Sequence, residues 1–225
     1  MAILNQQQVQ PMLQAYMSDG KPAHFIQSDE KYINGYIFKR SELLALLSSS
    51  APNHLYIMLG LVTDANPNIG TYITPIIGKI VNGKIEPNQL VLPQGPNSSP
   101  VYISSAQVKP MNPIEGGAGY PITVVDAQRM VDYHLVSHQP LSLVNSGGLK
   151  IRAFNLNDED VSFLLANDNN KNLIVMPALR DQDQTGASIA HKHLTFIFAW
   201  LSGNQVHTIS LYDYTEPCPP QCATF

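Results

Sequence analysis

Apolar residues follow a pattern along this chain that occurs twice. When the sequence is shifted by 118 positions, residues 4–64 fall on residues 122–182 without a gap, and ten of the 61 positions are identical. The identical pairs are Gln10/Gln128, Met12/Met130, Pro22/Pro140, Ser28/Ser146, Ile33/Ile151, Leu46/Leu164, Leu47/Leu165, Leu55/Leu173, Met58/Met176 and Leu61/Leu179. Matching apolar types also occur at Leu13/Val131, Tyr36/Phe154, Phe38/Leu156, Leu43/Val161 and Ile57/Val175. Because the matched side chains are those that fill a core, the pattern predicts an internal duplication.

Each copy begins with a predicted helix. Asn5 and Gln8 in the first copy, and Thr123 and Asp126 in the second, have the spacing of a capping box, which opens a helix. In the second copy the helix is predicted from Val124 to Val136. Its apolar face is expected to hold Ala127, Met130, Val131 and His134.

Two prolines interrupt otherwise regular patterns. Pro11 stands inside the first predicted helix, where a proline removes a hydrogen bond, so this helix is expected to kink or to start late with Pro11 in its first turn. Pro177 stands in an apolar run of the second copy and cannot donate to a strand ladder. The strand is therefore expected to bulge or end there.

A strand, a short helix and three further strands follow the first helix in each copy. In the first copy they are predicted at Tyr32–Phe38, Ser41–Leu47, His54–Val62, Thr74–Val81 and Lys84–Leu92. In the second copy they are predicted at Lys150–Leu156, Asp158–Leu165, Asn172–Leu179, Leu194–Leu201 and Gln205–Tyr212. Asn82-Gly83 and Gly203-Asn204 favour tight hairpins. From Leu194 the shift grows to 121, which predicts an insertion between Asp181 and Ala190.

These elements predict an α+β fold, built as a tandem duplication of a helix-strand-helix-strand-strand-strand unit with a mainly antiparallel sheet and both helices on one face. The predicted division is a first repeat at 1–92, a Pro/Gly-rich linker at 93–121 and a second repeat at 122–225 with a cysteine-containing tail. Val101–Ile103 is predicted as a short added strand. Glu115-Gly116-Gly117-Ala118-Gly119 is interpreted as a hinge rather than a phosphate loop, since no strand precedes it and no Lys-Ser/Thr follows.

Composition excludes some classes of partner. Charged residues make up 13% of the chain, and the net charge is −4 with only 13 Lys and Arg, so no basic surface for nucleic acid is expected. No window approaches the length of uninterrupted apolar sequence that a membrane-spanning helix needs. The N-terminus lacks the pattern of a secretory signal, so a cytoplasmic location is expected.

Histidines are concentrated in the second copy and suggest a metal site. His134 and His138 are four residues apart on a predicted helix, and His191 and His193 alternate on a predicted strand, so each pair can share a face. Asp181 and Asp183 can complete such a site for zinc or another divalent metal. The alternative is structural, because histidines near a helix end interact well with its free carbonyls.

The two cysteines lie at the end of the chain. Cys218 and Cys222 stand in the run Pro217-Cys218-Pro219-Pro220-Gln221-Cys222. They can form a local disulfide, pair with another chain, supply thiolates to a metal, or remain free thiols in an extended tail. Their spacing differs from the two-residue spacing of redox motifs and zinc knuckles.

The second half resembles small bacterial proteins of uncharacterised activity. The resemblance lies in Ile122-Thr123-x-x-Asp126-Ala127-x-x-Met130-Val131, in the strand-helix-strand block through Met176, and in the Cys-Pro-Pro-x-Cys ending, which some of those proteins share. Because no activity is attached to them, the resemblance implies none here.

Signatures of common enzymes are missing from the sequence, including Gly-x-Ser-x-Gly, Gly-x-x-x-x-Gly-Lys-Ser/Thr, His-Glu-x-x-His and a dinucleotide fingerprint. The leading hypothesis is a non-enzymatic interaction or assembly protein, a pseudo-twofold pair that binds another protein or itself through a sheet edge or the groove between units. The alternative is a metal-binding protein or metal-dependent hydrolase that uses the histidines. A third hypothesis is a small-molecule binder with its pocket between the units.

Overall fold

The computed structural model describes residues 3–19, 32–47, 54–81, 84–97, 102–103, 119–121, 124–136, 153–157, 172–182, 188–202, 205–214 and 217–218. The helices in these stretches are α1 (Gln6–Ser18), α2 (Arg40–Leu47) and α3 (Val124–Val136). The strands are β1 (Ile3–Leu4), β2 (Gly35–Phe38), β3 (His54–Thr63), β4 (Thr71–Val81), β5 (Lys84–Val91), β6 (Pro96–Asn97), β7 (Tyr102–Ile103), β8 (Gly119–Pro121), β9 (Ala153–Asn157), β10 (Asn172–Gln182), β11 (Ser188–Ser202), β12 (Gln205–Tyr214) and β13 (Pro217–Cys218).

The strands form two sheets. The first sheet has the order β1-β5-β4-β3-β9-β13, and the second has the order β6-β2-β10-β11-β12-β7, with β8 also paired to β12. Among the described strands, β12 and β7 are parallel and the other pairs are antiparallel. The predicted α+β class with mainly antiparallel sheets is confirmed.

Each half of the chain contributes to the sheet formed mainly by the other half. β2 pairs with β10, with Tyr36 opposite Val175, and β9 pairs with β3, with Phe154 opposite Ile57. The sequence pattern had assigned β2 and β9 to the sheets of their own units, and this assignment is wrong. The physical reason is that alternation of apolar residues reports burial, whereas it carries no information on which strand is the neighbour.

The two sheets pack face to face around a central core. This core consists of Tyr16, Ile33, Tyr36, Phe38, Leu43, Leu46, Leu55, Ile57, Leu59, Tyr72, Ile73, Ile77, Val91, Phe154, Leu173, Val175, Leu194, Phe196 and Phe198. The rings of Phe154 in the first sheet and Phe196 in the second meet edge to face, with centroids 5.2 Å apart and an interplanar angle of 88°. Contact between side chains of both sheets therefore forms the largest apolar cluster among the described residues.

Helices cover the outer faces of the sheets. Val9 of α1 packs with Met58, Ile76 and Ile80 on the first sheet. In the same manner Ala127, Met130 and Val131 of α3 pack with Ile174, Met176, Ala178, Ile197 and Ala199 on the second sheet. Leu43 and Leu46 of α2 belong to the central core, as does Tyr16 at the end of α1, so the expectation that both helices of the first unit lie on one face stays a prediction. The layers are helix, sheet, sheet and helix.

The predicted helix starts are largely confirmed. In α1 the side chain of Asn5 accepts a hydrogen bond from the Gln8 backbone at 3.1 Å, and the Gln8 side chain accepts one from the Asn5 backbone at 3.1 Å. The helix runs through Pro11, so the late start is wrong. Pro11 and Gln7, whose carbonyl loses its helical partner, are both exposed, so water can replace that bond. α3 has the predicted bounds.

Pro177 does not end its strand. β10 continues to Gln182, Pro177 stays opposite Phe196, and the irregularity comes later, between Arg180 and Gln182. The described pairing of β10 with β2 stops at Val175, so the ladder on that side has already ended at the proline. A proline nitrogen facing that side costs no ladder bond.

Three short strands lie in the stretch predicted as a linker. β7 confirms the strand expected at 101–103, while β6 and β8 pair with β2 and β12. The helix predicted at 158–165, the tight turns at 82–83 and 203–204, and residues 115–118 of the predicted hinge lie outside the described residues. The division at 1–92, 93–121 and 122–225 stays a prediction.

A side-chain hydrogen bond links the two sheets through the central core. The Tyr36 hydroxyl in β2 donates to the carbonyl oxygen of Ile73 in β4, and Tyr36 is fully buried. A buried carbonyl that loses its donor costs about 1–3 kcal/mol.

Replacing Tyr36 with phenylalanine is therefore expected to lower the free energy of unfolding by about 1–3 kcal/mol. Urea unfolding measures this as a lower midpoint at an unchanged slope. The matched control is Tyr56→Phe on β3, where the side chain is only half-buried, and we expect a change within about 0.5 kcal/mol. Equal effects of the two substitutions would contradict the assigned role of the Tyr36 hydroxyl.

Candidate functional site

The edges of both sheets consist of very short strands. β1 and β13 flank the first sheet, and β6, β7 and β8 flank the second, each with two or three residues. Short edge strands restrict pairing with other chains, because few backbone groups are left in register. Any docking of an extended segment must therefore use the longer strands next to them.

The clearest open edge belongs to β5. β1 covers only Leu90 and Val91 of this strand, and no described strand pairs with residues 84–88 on the side away from β4. Lys84, Pro87 and Asn88 are exposed there. A lysine and a proline limit unspecific pairing, and the proline lacks a donor, so few positions of this edge can pair with a further strand.

The corresponding edge of the second sheet is occupied at both ends of β12. β7 pairs in parallel with Gln205 and Val206, and β8 pairs in antiparallel fashion with residues 212–214. The two sheets thus differ in how completely their outer strands are covered by described segments.

The histidines of the sequence prediction lie on two elements. His134 lies in α3, and His191 and His193 lie in β11, while His138 lies outside the described residues. His193 stands opposite Arg180 in the ladder of β10 and β11. No set of three His, Cys, Asp or Glu residues within the described ranges is arranged to hold a metal ion.

The described neighbours of these histidines pack between α3 and β11. Ile197 and Ala199 of β11 pack with Ala127, Met130 and Val131 of α3. Along the chain, His193 precedes Ile197 by four residues, and His134 follows Val131 by three.

The cysteines are only partly described. Cys218 lies in β13 opposite Ala153, at the edge of the first sheet, and Cys222 lies outside the described residues. The disulfide, metal and free-thiol alternatives for this pair stay predictions.

Two buried charged residues were missed by the sequence reading. Lys79 in β4 is 1% exposed and stands opposite Leu55, and Glu42 in α2 is 5% exposed and lies 3.8 Å from Lys39. The only sequence signal was a lysine inside the apolar run Ile76-Ile77-Gly78-Lys79-Ile80. A buried charge requires compensating polar contacts, so the side chains of Lys79 and Glu42 are held in the positions where such contacts are available.

Three tyrosines have raised pKa values. Burial raises the pKa of Tyr16, and burial with a smaller effect of Tyr72 raises the pKa of Tyr36 well above its ordinary value. Burial, and secondly the nearby Asp64 carboxylate, raises the pKa of Tyr72. All three belong to the central core or its margin, so none is prepared to act as a base near neutral pH.

No protein-family model, curated protein or solved structure matches this chain. Within the described stretches, no helix is long and apolar enough to cross a bilayer.

The tyrosine pKa values predict a loss of stability in alkali. The unfolded chain releases tyrosine protons near pH 10, whereas the folded chain keeps those of Tyr16, Tyr36 and Tyr72. The unfolded state then binds fewer protons, so stability is fully present below about pH 10 and falls as the pH rises further. Urea midpoints across this range measure the fall, and Tyr36→Phe should make it shallower. Identical pH slopes for both proteins would contradict the assignment.

Proposed function

We propose that this chain is a non-enzymatic interaction or assembly protein, built as a duplicated pseudo-twofold pair. The observation that supports it most is the agreement between strand registers in the two halves. Tyr36 stands opposite Val175, and Phe154 stands opposite Ile57. A shift of 118 positions forward takes Tyr36 to Phe154, and the same shift backward takes Val175 to Ile57. The exchange of strands between the sheets is thus reciprocal and in the same register.

The agreement extends around both sheets. With a shift of 118 for β1 to β3 and of 121 for β4 to β6, each strand pair that these strands form has a counterpart, although Thr63/Thr71 and Gly78/Leu90 are not matched residue by residue. These counterparts are Leu61/Ile73 with Leu179/Leu194, Ile80/Ile85 with Leu201/Val206, Ile3/Val91 with Pro121/Tyr212, and Tyr36/Pro96 with Phe154/Pro217. The extra three residues between the shifts fall between β10 and β11, where the duplication predicts an insertion.

A duplicated unit that donates a strand to its neighbour has the organisation of a strand-exchanged homodimer in one chain. Separating the halves would break the β2–β10 and β3–β9 ladders and expose Tyr36, Phe38 and Phe154, which are fully buried. Such a pair presents two related sets of sheet edges. This arrangement suits the binding of another protein better than chemistry on a small substrate.

The reciprocal exchange predicts that cutting the chain will not separate it. A protease site placed between residues 104 and 118 yields two fragments, and we expect them to remain one particle, because each fragment supplies a strand to the other's sheet. Native mass spectrometry after cleavage should show both fragments at 1:1 in a particle of the mass of the intact chain. Fragments that part without denaturant would contradict the exchanged pairing.

The interaction function itself is tested at the sheet edges. A photo-crosslinking residue at Asn88 or Gln94 lies on an edge of the first or second sheet, and both positions are exposed. In the native cell we expect discrete adducts at these positions and none at the exposed α1 positions Gln7 and Gln14, which serve as controls. Adducts that are absent from the edges, or equal at the helix, would remove the support for edge docking.

A second candidate function is metal binding through the second half. Met130 and Ala178 pack in one cluster, and four further helix residues advance about 6 Å, as do two further strand residues. The proposed duplication implies that α3 runs along β10 as α1 runs along β3, and this direction would bring His134 to the level of Arg180 and its partner His193. In the sequence, His191 lies two residues before His193, and His138 lies four residues after His134.

Metal analysis separates the two candidates. Stoichiometric zinc, manganese or iron in protein purified without chelator, lost in the double variant His191→Ala/His193→Ala and kept in His207→Ala, would favour the metal function. His207 is the matched control because it lies on β12, opposite Trp200. Protein without stoichiometric metal, or with metal retained in the double variant, would contradict the metal candidate.

A further inference from the structure

One strand pairing in the second sheet has no described counterpart in the first. β7 pairs in parallel with β12, with Tyr102 opposite Gln205 and Ile103 opposite Val206. The corresponding residues of β5 are Lys84 and Ile85, which lie 121 positions earlier and close the hairpin with β4 as Gln205 and Val206 close theirs with β11. Their outer side is the open edge of the first sheet.

The same shift identifies the segment that would fill this edge. Adding 121 to residues 102 and 103 gives Ala223 and Thr224. The connections also agree in length, since residues 98–101 join β6 to β7, and residues 219–222 separate β13 from Ala223. Four residues span the distance from β6 to β7 at the second sheet, so under the proposed duplication four residues also suffice to reach from β13 to the edge of β5.

We infer that residues 223–225 form a parallel edge strand on β5, with Ala223 opposite Lys84 and Thr224 opposite Ile85. This inference rests on the proposed duplication and names its own occupant, a segment of this same chain outside the described residues. Pro219 and Pro220 favour an extended approach, and Thr224 and Phe225 are residue types that strands prefer.

Backbone geometry defines where the pairing can be detected. Val81 and Lys84 face each other across a two-residue connection, which closes on a pair that exchanges its hydrogen bonds, so the N–H of Ile85 points away from β4. The N–H of Val206 points to β7 by the same argument. Without a partner strand, the Ile85 amide would exchange freely with solvent.

Amide exchange measured by NMR tests the inference. In the full chain we expect the Ile85 amide to be protected as the Val206 amide is, and to exchange about 100-fold faster or more when residues 222–225 are deleted. The amides of Lys84 and Val206 should not change and serve as internal controls. An Ile85 amide that is unprotected in the full chain, or unaffected by the deletion, would overturn the inference.

A disulfide variant tests the register independently of the deletion. With Cys218 and Cys222 replaced by serine, Lys84→Cys combined with Ala223→Cys should form a bond within one chain, because facing residues on paired strands lie at disulfide distance. Asn88→Cys combined with Ala223→Cys is the matched control and should stay reduced. A bond only between chains, or equal oxidation of the control, would overturn the inference. Neither result depends on the crosslinked adducts or the protease cleavage that test the proposed function, so the edge-strand inference and the proposed function can fail separately.

Discussion

The reciprocal placement of β2 and β9 is the constraint on which the rest of this structure depends. Each of these strands leaves its own half and completes the other sheet. Because β2 carries Tyr36 and Phe38, and β9 carries Phe154, the exchange also delivers three large aromatic side chains to the space between the sheets. Burial of aromatic surface on this scale is a dominant stabilising contribution, so folding of the two halves is coupled.

Coupling of this kind limits what the molecule can do. A pair of units that moved as independent bodies would have to open the β2–β10 and β3–β9 ladders and leave backbone groups unpaired in an apolar interior. The groove between units, one of the two surfaces favoured by the sequence, is filled by the central core over its described extent. Of the two surfaces proposed for a partner, the sheet edges therefore remain.

The sequence predicted those features that leave a local trace. α3 was predicted with its observed bounds because Ala127, Met130 and Val131 follow helical spacing, and the capping box of α1 is read directly from Asn5 and Gln8. The partners of β2 and β9 were not predicted, since a buried strand has the same alternation in either sheet. The sequence also did not predict that β10 continues through Pro177. Pairing with β2 ends at Val175 while pairing with β11 continues, and this difference arises only in the assembled sheet. The metal site at the histidines and the bonding state of the two cysteines stay predictions.

The proposed duplication also indicates where the two halves have diverged. Tyr36, which donates to Ile73, corresponds to Phe154, which has no hydroxyl and instead packs on Phe196. The buried Lys79 corresponds to Trp200. Neither the Tyr36 hydroxyl nor the Lys79 side chain is needed to form the shared strand registers, because the other half maintains the same registers with Phe154 and Trp200.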